Sequence, residues 1–208
     1  MKFASLFTGF GLADIGAMDA GCKPIWGIEY DPQIHEVASR NHRNIHLASV
    51  IGFDYTALEK PDILWASPPC INYSAAKKDR IELEWDLQIA EAIVQAISIL
   101  KPAAFILENV VGYRKSVALK RIEECLYQNG YWCNRILCNA ADYGVPQTRK
   151  RLILRAVKGT VPGSMLTTDR WIGWHEAIAD LIPNLPEVEL APLAVAEIAG
   201  SDTFYVTH

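Results

Sequence analysis

The sequence has no cysteine pair spaced for a zinc ribbon or a redox motif. Its five cysteines (Cys22, Cys70, Cys125, Cys133 and Cys138) are odd in number and scattered. That argues against a disulfide framework and for the reduced thiols of a cytosolic chain. No apolar run reaches membrane-spanning length. Met1-Lys2-Phe3-Ala4-Ser5 does not open a signal peptide, so the expected location is the cytoplasm. The histidines show no metal spacing: His42 and His46 are four apart, but Asn41, Arg43 and Asn44 around them read as a solvated loop. A basic excess is missing too, since the net charge is −4. Beyond Ile182 there are four acids (Glu187, Glu189, Glu197, Asp202) and no Lys or Arg, which leaves residues 1–182 with 20 charges of each sign. Strong unaided nucleic-acid binding draws on a basic excess. Positive charge here is local, in Lys77-Lys78-Asp79-Arg80, in Arg114-Lys115, and in Arg149-Lys150-Arg151 with Arg155. What the chain does have is hydrophobic residues: they make up 50% of its 208, enough for one domain with a sizeable core.

The pattern centres on Ser67-Pro68-Pro69-Cys70. The apolar run Asp62–Ala66 leads into it as a buried strand, and the two prolines stiffen the exit. A cysteine on a loop at a strand end is a candidate nucleophile, although free cysteines are also among the most buried residues. Upstream, Lys2–Phe7 reads as a strand, Thr8-Gly9-Phe10-Gly11 as a glycine turn, and Leu12–Ala20 as a helix closed by Gly21. That context suits close backbone approach to a nucleotide. Asp14 stands where a dinucleotide fingerprint needs a further glycine, which favours a nucleoside cofactor without a pyrophosphate. The second strand, Pro24–Ile28, ends in Glu29, placed to accept from ribose hydroxyls. Tyr30 packs on an adenine or fills core, and Asp31 caps a helix with Pro32 at its first position. A third strand falls near His46–Val50. Lys77–Glu84 reads as charged and mobile, and Trp85–Leu100 as a helix with one apolar face, stopped by Lys101-Pro102. Ala103–Leu107 is a buried strand followed by Glu108-Asn109-Val110; Glu108 is either a structural acceptor or an acid facing a ligand. Ser116–Gln128 is a helix, and Tyr131–Cys138 and Arg151–Val157 are strands pairing as antiparallel neighbours. If the chain is extended at Arg149 and Arg151, both side chains leave on one face; the plainer reading is a basic strand start. A short helix is expected at His175–Leu181, and Pro183, Pro186 and Pro192 break up the tail.

These pieces, in this order, resemble the DNA cytosine-5 methyltransferases. Phe7-Thr8-Gly9-Phe10-Gly11 is similar to the family's first cofactor motif and Glu29 to its ribose-binding acid. Pro68-Pro69-Cys70 resembles the nucleophile loop, Glu108-Asn109-Val110 the ENV motif, and Gln147-Thr148-Arg149-Lys150-Arg151 the QxRxR motif. Each motif is weak alone; five in the family's order and spacing across residues 1–157 are specific.

The resemblance implies an α/β, Rossmann-like methyltransferase fold, with a mostly parallel seven-stranded sheet and one antiparallel strand. It implies a catalytic domain over residues 1–182, followed by a Pro-containing acidic tail, or the start of a recognition region, over 183–208. It implies S-adenosylmethionine as methyl donor and a cytosine flipped from double-stranded DNA, with no metal and no membrane. Cys70 would add to carbon 6, Glu108 would hydrogen-bond the base, Arg151 would reach its O2, and Arg149 would support the loop or the base. Cofactor contacts would come from Phe7, Gly9, Phe10, Gly11, Glu29, Tyr30, Ser49, Val50, Pro69 and, by position, Leu87. Ser5 replaces an acid of the family pattern, Leu12 a second glycine, Ser49 the acid that reads the adenine amino group, and Ile71 a glutamine. Nothing after Leu181 resembles the family's recognition domain or last motifs, so recognition is expected from a missing part or a second chain. A role in restriction–modification is likewise only implied. The alternatives are a non-catalytic, regulatory methyltransferase-like module, or an enzyme of the branch that uses the same residues on tRNA.

Overall fold

The computed structural model describes residues 1–41, 44–73 and 81–184. The expectations for His42, for Lys77–Arg80 and for the tail from residue 185 lie outside the described residues. Seven strands form: β1 (Lys2–Leu6), β2 (Lys23–Glu29), β3 (Ile45–Leu47), β4 (Ile63–Ala66), β5 (Ala104–Val110), β6 (Tyr131–Asn139) and β7 (Lys150–Lys158). They make one sheet in the order β3-β2-β1-β4-β5-β7-β6. β1 pairs in parallel with β2 and β4, β2 with β3, and β4 with β5, while β7 runs antiparallel to β5. This is the α/β, mostly parallel seven-stranded sheet that the sequence implied.

Parallel strands are covered on both faces and read as continuous apolar runs. Phe3, Ala4 and Leu6 of β1 and Leu64 and Ala66 of β4 are accordingly buried. Helices follow the strands: α1 (Leu12–Asp19), α2 (Pro32–Asn41), α3 (Glu84–Leu100), α4 (Val117–Gln128) and the short α5 (Trp174–Ala177). α3 buries Ile89, Ile93, Ile97 and Leu100, α4 buries Leu119, Ile122 and Leu126, and the two pack on each other. Each such side chain contributes about 1.5–3 kcal/mol. The exposed Arg121–Glu91 pair across them contributes roughly 0–1 kcal/mol, so the apolar seam holds them. Among the described residues no helix is long and apolar enough to cross a membrane.

Four expected boundaries move. β3 stops at Leu47, so Ser49 and Val50 follow it in a turn where Ser49 Oγ accepts from the Ile51 amide at 3.1 Å. β2 runs through Glu29, and β5 runs through Val110, so Glu108 and Asn109 are strand residues; the antiparallel ladder with β7 extends that far. The helix expected at His175–Leu181 is only Trp174–Ala177. Its sequence buries no residue, and a helix that short needs a buried face to persist.

The chain divides into two compact units. The first is Met1–Cys138 with Lys150–Met165, and it contains nearly all of the sheet. The second is Asn139–Arg149 with Leu166–His208. In its described part the Thr168 amide donates to the Asp142 carbonyl at 2.8 Å, and Trp171 Nε1 donates to Asp142 Oδ1 at 2.9 Å.

Candidate active site

The strand order switches direction between β1 and β4, and in open α/β sheets ligands bind at that switch, outside the carboxyl ends of the strands. Two loops leave there: Phe7–Gly11 from β1 and Ser67–Cys70 from β4. Gly9 (φ 58°) and Gly11 (φ 81°) take left-handed conformations that glycine adopts without steric cost, and Phe7 (φ 58°) adopts one too. Beneath the turn lies a buried polar knot. Ser5 Oγ hydrogen-bonds Thr8 Oγ1 at 2.9 Å and donates to both Asp14 carboxylate oxygens at 3.0–3.1 Å. Thr8 occupies the space a side chain at residue 27 would need: a Cβ on Gly27 would fall 2.5 Å from Thr8 Oγ1. The buried acid of this corner is therefore carried by α1 while Ser5 holds the strand position.

Glu29 is 5% exposed. A carboxylate so removed from water needs strong partners, and it has three backbone donors. The Gly9 amide reaches Oε2 at 2.8 Å, and those of Tyr30 and Asp31 reach Oε1 at 2.9 and 3.0 Å. The carboxylate thus ties the β1 turn to the end of β2. A carboxylate offers about four acceptor positions, so one is left on Oε2.

Glu29 lines a cleft of about 290 Å³ whose other walls are mostly apolar. Of the residues the sequence proposed for a cofactor, Phe7, Gly9, Glu29, Tyr30, Ser49, Val50 and Pro69 line it. Phe10, Gly11 and Leu87 do not. Phe10 is half exposed and its carbonyl accepts from Asn41 Nδ2; Gly11 faces Ala38 and Asn41 of α2; Leu87 packs against the core. Tyr30 is 64% exposed, which removes the core-filling alternative. Ser67, Trp85 and Ile89 line the cleft without having been singled out for it. Trp85 and Ile89 are four apart on α3, a spacing that puts both on one helix face.

The second loop carries the chemistry. Ala66 pairs with Leu107 across β4 and β5, which sets Ser67 beside Glu108. Ser67 Oγ donates to Glu108 Oε2 at 2.6 Å, and Arg151 Nε meets Glu108 Oε1 at 2.9 Å. Buried Asn109 donates from Nδ2 to the Pro68 carbonyl at 3.0 Å and accepts the Val110 amide at 2.8 Å, tying the loop to β5. Cys70 is half-buried, and its carbonyl accepts the Tyr73 amide at 3.0 Å, closing a turn. Tyr73 is anchored in turn: its ring meets Tyr113 edge-on (centroids 4.7 Å apart), and its hydroxyl donates to Glu82 at 3.0 Å. Burial, with the charges of Asp86 and Glu82, pushes the Tyr73 hydroxyl well above its ordinary range, so it stays a neutral donor. Ser67, Glu108 and Arg151 thus meet directly, with Cys70 three residues along the same loop. Arg149 does not share the strand with Arg151, because β7 begins at Lys150; it lies in the second unit, where its amide donates to Asn139 Oδ1 at 2.9 Å.

The family model for C-5 cytosine-specific DNA methylases matches residues 1–185. The type II methyltransferase M.FnuDI of Fusobacterium nucleatum is 33% identical over 160 residues, 73% of this chain and 45% of its own length. The type II methyltransferase M.NgoBI of Neisseria gonorrhoeae is 27% identical over 191 residues, 90% of this chain and 59% of its own. The solved structure of the Entamoeba histolytica methyltransferase EhMeth shares the fold, with a TM-score of 0.70 at 19% identity, covering 83% of this chain and 57% of that one. The chain spans about half the length of the curated relatives it matches.

Proposed function

The chain belongs to the C-5 cytosine-specific DNA methylase family, and on that footing we propose that it performs methyl transfer from S-adenosylmethionine to carbon 5 of cytosine in double-stranded DNA. The observation that carries this reading is the contact of the Ser67–Cys70 loop with Glu108, and of Glu108 with Arg151, beside a cleft at the sheet's switch point.

The cleft suits the cofactor. Its apolar walls match the adenosine and methionine carbons, and Glu29 keeps an acceptor position for a ribose hydroxyl. The glycine turn leaves the backbone open, and the volume sits at the lower end of ligand pockets. Glu29, Tyr30, Ser49, Val50, Phe7, Gly9 and Pro69 would hold it, with Trp85 and Ile89 on the opposite wall. When bound, S-adenosylmethionine supplies an electrophilic methyl group.

The protein's task is to make carbon 5 nucleophilic. Cys70 thiolate adds to carbon 6 of a flipped cytosine, forming a carbon–sulfur bond and leaving carbon 5 enamine-like. Glu108 hydrogen-bonds the base near N3 and N4 and favours addition by proton donation at N3. Ser67 and Arg151 orient that carboxyl group, and Arg151 lies beside it for the base O2. Arg149 is assigned to the nucleophile loop or the base. After methylation, loss of the carbon 5 proton lets the carbon–sulfur bond break and frees Cys70. In this reading residues 1–182 form the catalytic domain and 183–208 a tail or the start of a recognition region. Sequence-specific recognition is assigned to further elements in this or a second chain, because the relatives are about twice as long.

The test is covalent trapping on duplex DNA containing 5-fluorocytosine, whose fluorine blocks the last elimination. An S-adenosylmethionine-dependent protein–DNA adduct is expected, and Cys70→Ala is expected to abolish it. An adduct that survives Cys70→Ala overturns the assigned nucleophile. A chain that forms no adduct and binds no S-adenosylmethionine overturns the reading as a whole.

A further inference from the structure

A second, larger cleft of about 730 Å³ adjoins Arg151, and its chemistry differs from that of the first. Val110, Val111 and Gly112 line it, and Arg114, Lys115 and Lys150 are exposed cations around it. Among the described residues, none of these three cations has a carboxylate partner. Other arginines do: Arg40 holds Glu36, Arg121 Glu91, Arg135 Glu123, and Arg170 Glu176. The lining acid, Glu82, is already committed. It accepts from the Val117 and Ala118 amides at 2.8 and 2.7 Å and from the Tyr73 hydroxyl. The cleft therefore presents uncompensated positive charge on a chain whose net charge is −4.

We propose that this cleft is a phosphate-binding site that seats the sugar–phosphate backbone of duplex DNA, with Arg114, Lys115 and Lys150 each taking a phosphate. The proposal rests on the methyltransferase reading and names the part of the substrate that this face holds. Apolar lining beside separated cations suits a backbone that alternates sugar and phosphate. Placement agrees: Val110 follows Glu108 and Asn109 directly, and Asn72 and Tyr73, just past Cys70, line the same cleft. A backbone seated there lies beside the groups that act on the base. Phosphate contacts supply affinity and register without reading sequence, which accounts for a chain that needs local cations in place of a general basic excess.

The test is the salt dependence of binding of a short duplex, followed by fluorescence anisotropy, for the full chain and for Arg114→Ala/Lys115→Ala, Lys150→Ala and Lys23→Ala. Lys23 opens β2, at the end of that strand away from Glu29. Each phosphate contact contributes about 0.9 to the slope of log K against log salt. The double variant is expected to flatten that slope by about two and Lys150→Ala by about one, with Lys23→Ala unchanged and S-adenosylmethionine binding intact in all. A wild-type slope in both cleft variants overturns the proposal, as does an equal loss in Lys23→Ala. Polyglutamate binding with the same slope overturns the commitment to a phosphodiester backbone. A chain that binds S-adenosylmethionine but no duplex at low salt overturns the site and leaves the methyltransferase reading standing. Failure of the reading itself shows as loss of cofactor binding.

Discussion

Gly112 controls the nucleophile turn from outside it. A Cβ there would stand 2.2 Å from the Tyr73 carbonyl oxygen, a backbone atom that cannot swing away. Gly112→Ala must displace Tyr73 and with it the turn closed on Cys70. The expected cost is about 1–3 kcal/mol in urea unfolding, with loss of the 5-fluorocytosine adduct and unchanged S-adenosylmethionine affinity. An adduct formed at the wild-type rate would show that Tyr73 does not position Cys70. Cys70, Glu108 and Arg151 were legible because reactive or charged groups directly after apolar strands stand out. Gly112 was not, since its requirement comes from Tyr73, far away in sequence. Trp85 was missed because an aromatic at the start of an apolar helix face reads as core, and only its 43% exposure on the cleft separates it. Phe10 and Gly11 were included because a motif names consecutive residues, whereas a turn aims them in different directions.

At the level of elements, Glu82 and Ser116 share the start of α4. Ser116 Oγ accepts the Leu119 amide at 2.9 Å, and the Glu82 carboxylate takes the amides of Val117 and Ala118. A negative group at a helix N-terminus meets both free N–H groups and the positive end of the helix dipole. Because Tyr73 donates to the same carboxylate, one side chain joins the α4 start to the nucleophile loop. Glu82→Ala is expected to cost about 1–2 kcal/mol, near the upper range for loss of a cap. Glu82→Gln, which keeps an acceptor, is expected to recover part of it. Equal stability of Glu82→Ala and wild type in urea would refute the capping role. Ser116 was readable as a cap by its position before an amphipathic stretch; Glu82 was not, because capping from another segment leaves no local spacing. The strands were legible for a simpler reason: in a sheet covered on both faces each one is a short apolar run between glycine and proline signals. α5 fell short of expectation because Leu181 is 51% exposed and its helical pattern finds no face to pack on.

For the molecule as a whole, alkaline pH is the telling perturbation. Tyr131 opens β6 and donates to the Pro102 carbonyl at 2.6 Å, just past the end of α3. Burial, with a smaller push from Cys125, raises its hydroxyl from 10.0 to about 12. The folded state therefore holds this proton more tightly than the unfolded chain does. The stabilisation is fully present below about pH 10 and is lost as pH rises through about 12. Tyr55, Tyr73 and Tyr113 are shifted in the same direction, so they add to the alkaline loss. Tyr131→Phe is expected to remove its own share, seen as a shallower fall of the urea midpoint above pH 10; an unchanged fall would refute it. The order of the strands also bears on how the chain is made. β7 is the last strand in sequence, yet it lies inside the sheet, with β5 on one side and β6 on the other. A nascent chain emerging from the ribosome must hold the facing edges of β5 and β6 unpaired until Lys158 has left the exit tunnel. Exposed edges of that kind invite pairing with other chains, so the interval between synthesis of β5 and of β7 is when this protein most needs a chaperone.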